Sequence, residues 1–255
     1  MARTSKGKGT GRGKASGRAR SEPDARAEGE VRRSQLLTSY GPGALIDLVD
    51  HAVIVGGVDH WHWGHREPES IDEPRLRDAL MLEFAKSTPP RVLDTQRPFV
   101  TPPIAGEPAT RSRGIEALLF PRWFVCKSCR ALVGHKGLLD PESGPRVHEC
   151  GGRRKGDVIP VRFIGMCPRG HVQDYPWLPF VHEAQQQPRC ANPQLSFDEG
   201  PTGDFAEIVV RCECGAQRRL AEAMAPGAEP DCQGERPWLG PEAREHDCDR
   251  KLRLQ

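Results

Sequence analysis

The sequence predicts an α+β fold, irregular and loop-rich, with two zinc-knuckle or ribbon-like modules and a disordered basic N-terminal tail. Three observations predict it. All nine cysteines fall after residue 125, and most stand beside Gly, Pro or Arg, as in zinc knuckles. The 27 Gly and 24 Pro make up about a fifth of the 255 residues, so the core is small and metal staples offset the poor burial. The apolar segments are short and bounded by turn residues.

Residues 1–31 form the tail. The first 33 residues hold ten Lys/Arg and four Asp/Glu, a net +6, which leaves the rest near −4 within an overall +2. Such a segment cannot bury enough surface to offset its chain entropy. It suits a solubilising leader or a weak, salt-sensitive arm on phosphates. The body is not a basic nucleic-acid clamp. No apolar run approaches the roughly 18 residues of a membrane span, and the N-terminus lacks the apolar stretch of a secretion signal. A cytoplasmic location follows. In that reducing compartment nine thiols, an odd number, favour metal over disulfides.

An N-terminal α+β domain is expected over 32–120. Ser34 to Leu48 sets two apolar segments around Tyr40-Gly41-Pro42-Gly43, where the glycines permit tight turning. Ala52 to Val58 reads as a buried strand ending in a turn. Asp72 to Lys86 reads as a helix, with Pro74 in its first turn and Leu76, Leu80 and Phe84 on one face. Residues 87–112 are Pro-rich and irregular. A first zinc-binding module is expected over 121–185 and a second over 186–255. Val158 to Met166 reads as a strand delivering Cys167, and Ala206 to Arg211 as one delivering Cys212. Gln217 to Met224 reads as a short helix.

The thiols divide into two groups. Cys126 and Cys129 form a C-x-x-C turn that points two sulfurs at one cation, and Cys150 follows. Cys167 is the first choice of fourth ligand, with His171 and His148 as alternatives. Cys212, Cys214, Cys232 and Cys248 form the second group, with Cys190 competing as the fourth ligand. Neither group has the three ligands and nearby Glu base of catalytic zinc, so two Zn²⁺ ions, both structural, are expected.

Other motifs carry less chemistry. His60-Trp61-His62-Trp63-Gly64-His65 reads as an exposed, Trp-flanked turn. Gly41-Pro42-Gly43 lacks the Lys-Ser/Thr ending of a phosphate loop, and His171 with Asp174 has no nucleophile string. No enzyme is expected. The corner His171 to Trp177 reads as packing that locks the first knuckle onto the body. Trp61, Trp63, Trp123 and Trp177 are candidates for core or partner contact.

Several of these strings resemble one family. Ser34-Gln35-Leu36-Leu37-Thr38-Ser39-Tyr40-Gly41-Pro42-Gly43-Ala44, the strand from Val53 to Trp61, and Phe120-Pro121-Arg122-Trp123-Phe124-Val125-Cys126 with Cys129 look like DrmB proteins of the DISARM antiphage defence system. So do residues 161–177 and Pro237-Trp238-Leu239-Gly240. A second cysteine pair common in that family is reduced here to Cys150, with His148 two residues before it. The resemblance covers the N-terminal part of DrmB proteins. The chain stops where their C-terminal domain begins, which implies a fragment, a split product or a truncated frame. It further implies a non-catalytic scaffold that docks a superfamily 2 helicase, which carries the motor. DNA is engaged through the complex, with no small-molecule substrate. Arg153, Arg154 and Lys155 are the expected phosphate contacts, with the tail. The alternatives are a stand-alone zinc-ribbon DNA-binding regulator and a metal-dependent hydrolase using His60, His62 or His171.

Overall fold

The structure, a computed structural model, describes residues 33–48, 51–65, 67–103, 114–139, 145–152, 154–183, 190–240 and 242–255. The basic tail lies outside them. The described chain is mixed α and β, mostly short strands joined by loops, and every strand pair is antiparallel.

Helix α1 (Arg33–Thr38) enters the Tyr40-to-Gly43 turn. Gly43 has φ +87°, and a side chain there would press on the Trp238 ring. Strands β1 (Leu45–Asp47) and β2 (Ala52–Val55) follow, and all four residues of β2 are buried. Next come β3 (Trp61–His62), β4 (Ser70–Ile71), α2 (Pro74–Lys86), β5 (Phe99–Val100), β6 (Gly114–Ile115) and β7 (Ala117–Leu119). Sheet β1-β2-β7 and the pairs β3-β6 and β4-β5 make up this region. The expected helix forms, with Glu73 capping it and Pro74 at its start. None of its residues is buried, however, and Leu76, Met81 and Leu82 are exposed. Periodicity specified the helix but not a partner for its face.

The second region holds β8 (Trp123–Cys126), β9 (Ala131–Gly134), β10 (Val147–Glu149), β11 (Lys155–Pro160), β12 (Ile164–Met166), β13 (Val172–Asp174), α3 (Trp177–Glu183), β14 (Leu195–Asp198), β15 (Val209–Cys212), β16 (Gln217–Arg219) and β17 (Arg253–Leu254). A seven-stranded sheet runs β10-β11-β8-β9-β14-β15-β16, and a three-stranded sheet runs β13-β12-β17. The pairing of β9 with β14 joins the stretches expected as two modules into one sheet.

Two elements differ from expectation. Val158 to Met166 is two strands, because the chain bends at Arg162, just after the Val161 N–H has bonded to the Trp123 carbonyl, and Phe163 packs against Phe197 and Phe205. The chain thereby passes from one sheet to the next. Gln217 to Met224 is not one helix. Gln217 to Arg219 complete the ladder beside β15, and a 3₁₀ turn over Leu220–Met224 then buries Leu220 and Ala223.

The main core lies on the large sheet and includes Val125, Leu132, Trp177, Phe180, Phe197 and Val210. The His171-to-Trp177 corner packs into it. Asp174 accepts from the Arg122 backbone N–H at 2.7 Å and from its Nε at 2.6 Å, which ties the corner to the start of β8. Tyr175 and Trp177 are fully buried and stack edge to face, yet neither the phenol nor the indole N–H has a partner among the described residues.

Burial pushes the Tyr175 phenol up to about 12, against the pull of Arg218 and with a push from Glu229. The folded value lies above the ordinary one, near 10. Its contribution to stability is therefore present below pH about 10 and lost as pH rises toward about 12. Tyr175→Phe removes an unpaired buried hydroxyl, so neutral-pH stability is kept or improved and the alkaline loss becomes shallower. Denaturant titrations from pH 8 to 12 test this. An unchanged alkaline slope in the variant would count against it.

Candidate metal centres

The C-x-x-C turn between β8 and β9 places Cys126 at the end of a buried strand and Cys129 at an exposed tip. The Arg130 N–H bonds to the Cys126 carbonyl at 2.9 Å, and Arg130 itself adopts φ +61°. Its guanidinium offsets that strain by pairing with Glu199 and donating to the Phe197 carbonyl. The β10–β11 hairpin supplies His148 and Cys150, and turns through Gly151 and Gly152, both at positive φ. Gly156 on β11 lies under the thiols. A Cβ there would stand 2.6 Å from Cys126 Sγ and 2.7 Å from Cys150 Sγ. Centre 1 is thus Cys126, Cys129, His148 and Cys150.

Centre 2 is Cys167, His171, Cys232 and Cys248. The turn Cys167-Pro168-Arg169-Gly170-His171 closes with the Cys167 N–H on the His171 carbonyl, and Gly170 has φ +81°. The distant segment 230–252 folds back over it. The Cys232 N–H bonds to the Arg250 carbonyl, Leu252 packs on the thiols, and the Gln233 N–H bonds to the Gln173 side chain at 2.8 Å.

Centre 3 is His182, Cys190, Cys212 and Cys214. Cys212 ends β15, Gly215 turns at φ +94°, and the Cys212 N–H meets the Ala216 carbonyl. His182 comes from α3. Its Nδ1–H donates to the Leu178 carbonyl at 2.7 Å, which leaves Nε2 to face the thiols.

Zinc–sulfur bonds of about 2.3 Å and zinc–nitrogen bonds of about 2.0 Å in a tetrahedron put S···S near 3.8 Å and S···N near 3.5 Å. Cys126 and Cys150 sulfurs are 3.4 Å apart, and those of Cys190 and Cys212 3.6 Å. His148 Nδ1 lies 3.3 Å from Cys129 Sγ, His171 Nδ1 3.3 and 3.4 Å from Cys167 and Cys232, and His182 Nε2 3.5 Å from Cys190 and Cys214. All nine thiols are free, at separations well beyond a disulfide's roughly 2.05 Å. The donor sets therefore fit zinc.

Electrostatics point the same way. Burial opposes ionisation of Cys126, yet the Cys129 and Ser128 N–H groups and the neighbouring thiol bring it down to about 6. Burial and the adjacent thiols push Cys150 up to about 12. Cys214 falls to about 7, led by the Ala216 N–H, while Cys190 rises to about 11 and Cys232 to about 12, both led by burial. One thiolate per centre suppresses the next, and a cation at the middle removes that conflict.

Every cysteine expected as a ligand falls in a four-donor group, but the groups are three and their membership differs. Cys167 is with Cys232 and Cys248, not with Cys126, because β12 pairs with β17 and brings the C-terminal segment to it. The alternatives His148 and Cys190 are both in donor groups, and His182 was not foreseen. Its signal was a histidine eight residues before Cys190 on a short apolar helix. Arg154 and Lys155 are exposed at the hairpin of centre 1, and Arg153 lies outside the described residues. His60 and His62 meet Glu116 at 3.0 and 3.8 Å and join no four-donor group among the described residues. The Trp61 and Trp63 rings stand 6.3 Å apart.

The family described as "Domain of unknown function (DUF8724)" matches residues 32–255, a span that contains all three centres. The chain belongs to this family. The chain is also similar to the DISARM protein DrmB of Bacillus paralicheniformis, at 28% identity over 123 residues. That match covers 46% of this chain and 21% of the relative, so the chain spans about a fifth of the curated relative's length. The similarity supports a DrmB-like relation for this DUF8724 chain. No described helix is long and apolar enough to cross a membrane.

Proposed function

We propose that this chain is a non-catalytic, zinc-binding scaffold subunit of a DISARM-type antiphage defence complex. It docks a superfamily 2 helicase and assists DNA engagement, with Arg154, Lys155, Arg153 and the basic tail as phosphate contacts. The observation that supports the reading is that each of the three groups gathers four Cys/His donor atoms within 4.8 Å of one another, the number used by closed structural zinc sites. Three Zn²⁺ ions then act as staples for a chain whose strands are short. The similarity to DrmB supports the defence context.

Elemental analysis of the purified chain should give about three zinc, and strong chelation should unfold it. Pull-down with a DISARM helicase should succeed only with the metal-loaded chain. Arg154→Ala with Lys155→Ala should weaken DNA binding across sequences and reduce the salt slope by about 2. A folded chain with no bound metal and freely reactive thiols would sink the scaffold reading. Loss of helicase capture in the metal-loaded chain would sink the docking role.

A further inference from the structure

The three histidine ligands are held in three different ways. His171 is fully buried, and while Nδ1 faces two thiols, Nε2 stands 2.6 Å from Glu245 Oε2, a charge contact not aligned as a hydrogen bond. Arg236 holds the same carboxylate at 3.1 Å. The Glu245 N–H is bonded to the Gly234 carbonyl, and Gly234 sits so close that a Cβ there would collide with the Glu245 backbone. His182 has the backbone partner described above. Among the described residues, the His148 ring meets only the thiols of its own centre.

Access follows the same order. In centre 2 Cys167, His171 and Cys232 are all buried. In centre 1 only Cys126 is buried, Cys129 is exposed, and the local core is Phe124, Cys126 and Val158. Opening also differs in scale. The ligands of centre 1 come from two adjoining hairpins within 25 residues, 126–150. Centre 2 joins residues 167–171 to 232–248, across the ion pairs Arg122–Glu235 at 2.9 Å and Arg169–Asp249 at 3.2 Å.

We propose that the centres are graded: Cys167–His171–Cys232–Cys248 is a locked structural centre with Glu245 and Arg236 as positioning residues, whereas Cys126–Cys129–His148–Cys150 is an exchangeable metal centre. The inference rests on zinc binding as read above. The exchangeable centre makes the first two hairpins of the large sheet responsive to zinc supply, while the C-terminal segment stays fastened.

The test uses the zinc-loaded full chain, treated with a chelator and N-ethylmaleimide, with released zinc followed by a colorimetric indicator. Peptide mass spectrometry identifies the alkylated cysteines over time. Cys126, Cys129 and Cys150 should label with the first zinc released, and Cys167, Cys232 and Cys248 with the last. Glu245→Gln should speed labelling at centre 2 by roughly 10–100-fold and leave centre 1 unchanged. If that variant does not fold, Arg236→Gln, which keeps the carboxylate but frees it, should speed centre 2 in the same direction. Simultaneous labelling of all nine cysteines, or centre 2 opening first, would overturn the grading. Unchanged centre 2 rates in the variants would overturn the positioning role. A chain that binds no zinc overturns the functional reading instead, and is told apart by the metal content at time zero.

Discussion

Replacing Cys232 with serine is expected to leave about two zinc per chain and to detach the C-terminal segment from β12 and β13. Serine keeps the shape but is not ionised near neutral pH, so it is a poor zinc ligand. Cys232 is buried between Cys167, His171 and Leu252, and its sulfur accepts the Gly234 N–H at 3.3 Å. Structural zinc in small peptides is worth about 10–16 kcal/mol, comparable to the whole 5–15 kcal/mol or so of a typical domain. Losing centre 2 therefore removes a large part of the stability. Zinc content and hydrogen exchange check it together: the Gln255 amide, which donates to the Ile164 carbonyl at 3.0 Å, should lose protection. Three zinc retained, with that amide still protected, would show that the thiol is not a ligand.

The second large effect lies away from metal. Trp177→Ala should cost about 3–5 kcal/mol, the range for emptying a fully buried aromatic site. Trp177 is 0% exposed and meets Tyr175 at 5.1 Å, Phe180 at 6.4 Å and Phe197 at 5.9 Å between ring centroids. These rings come from the corner before α3, from α3 and from β14, so no single element can close the gap. The indole N–H is unpaired, so Trp177→Phe gives back most of the loss while forming no new unsatisfied group. Denaturant unfolding in saturating zinc separates this loss from metal release. A cost under about 1 kcal/mol for the alanine variant would mean that the core collapses around the site.

The legible parts of the sequence were the local ones. β2 is a buried four-residue run before Gly56-Gly57, α2 starts at a proline, and each cysteine knuckle closes over a few residues. The groupings of cysteines were not local. Cys150 and Cys167 are closer in sequence than Cys167 and Cys232, but β12 turns away from β11 at Val161 and pairs with β17 instead. His182 was hidden because it follows an apolar run, Trp177-Leu178-Pro179-Phe180-Val181, and the ring takes up its place only once α3 lies against β15 and β16. A helix stripe tells which residues share a face and nothing about what covers it, as the unburied α2 illustrates.

Gly156 carries a consequence for folding fidelity. On β11 it stands opposite His148, beneath the sulfurs of Cys126 and Cys150. A slip of one residue would bring Lys155 or Asp157 to that place and turn the buried Val158 to the opposite face. A slip of two would bring Arg154 or Val158 there. Only one alignment of this hairpin offers the sulfurs an empty position, so the missing side chain acts as a proofreading gap: misregistered strands are rejected by collision with the very atoms that the correct pairing gathers.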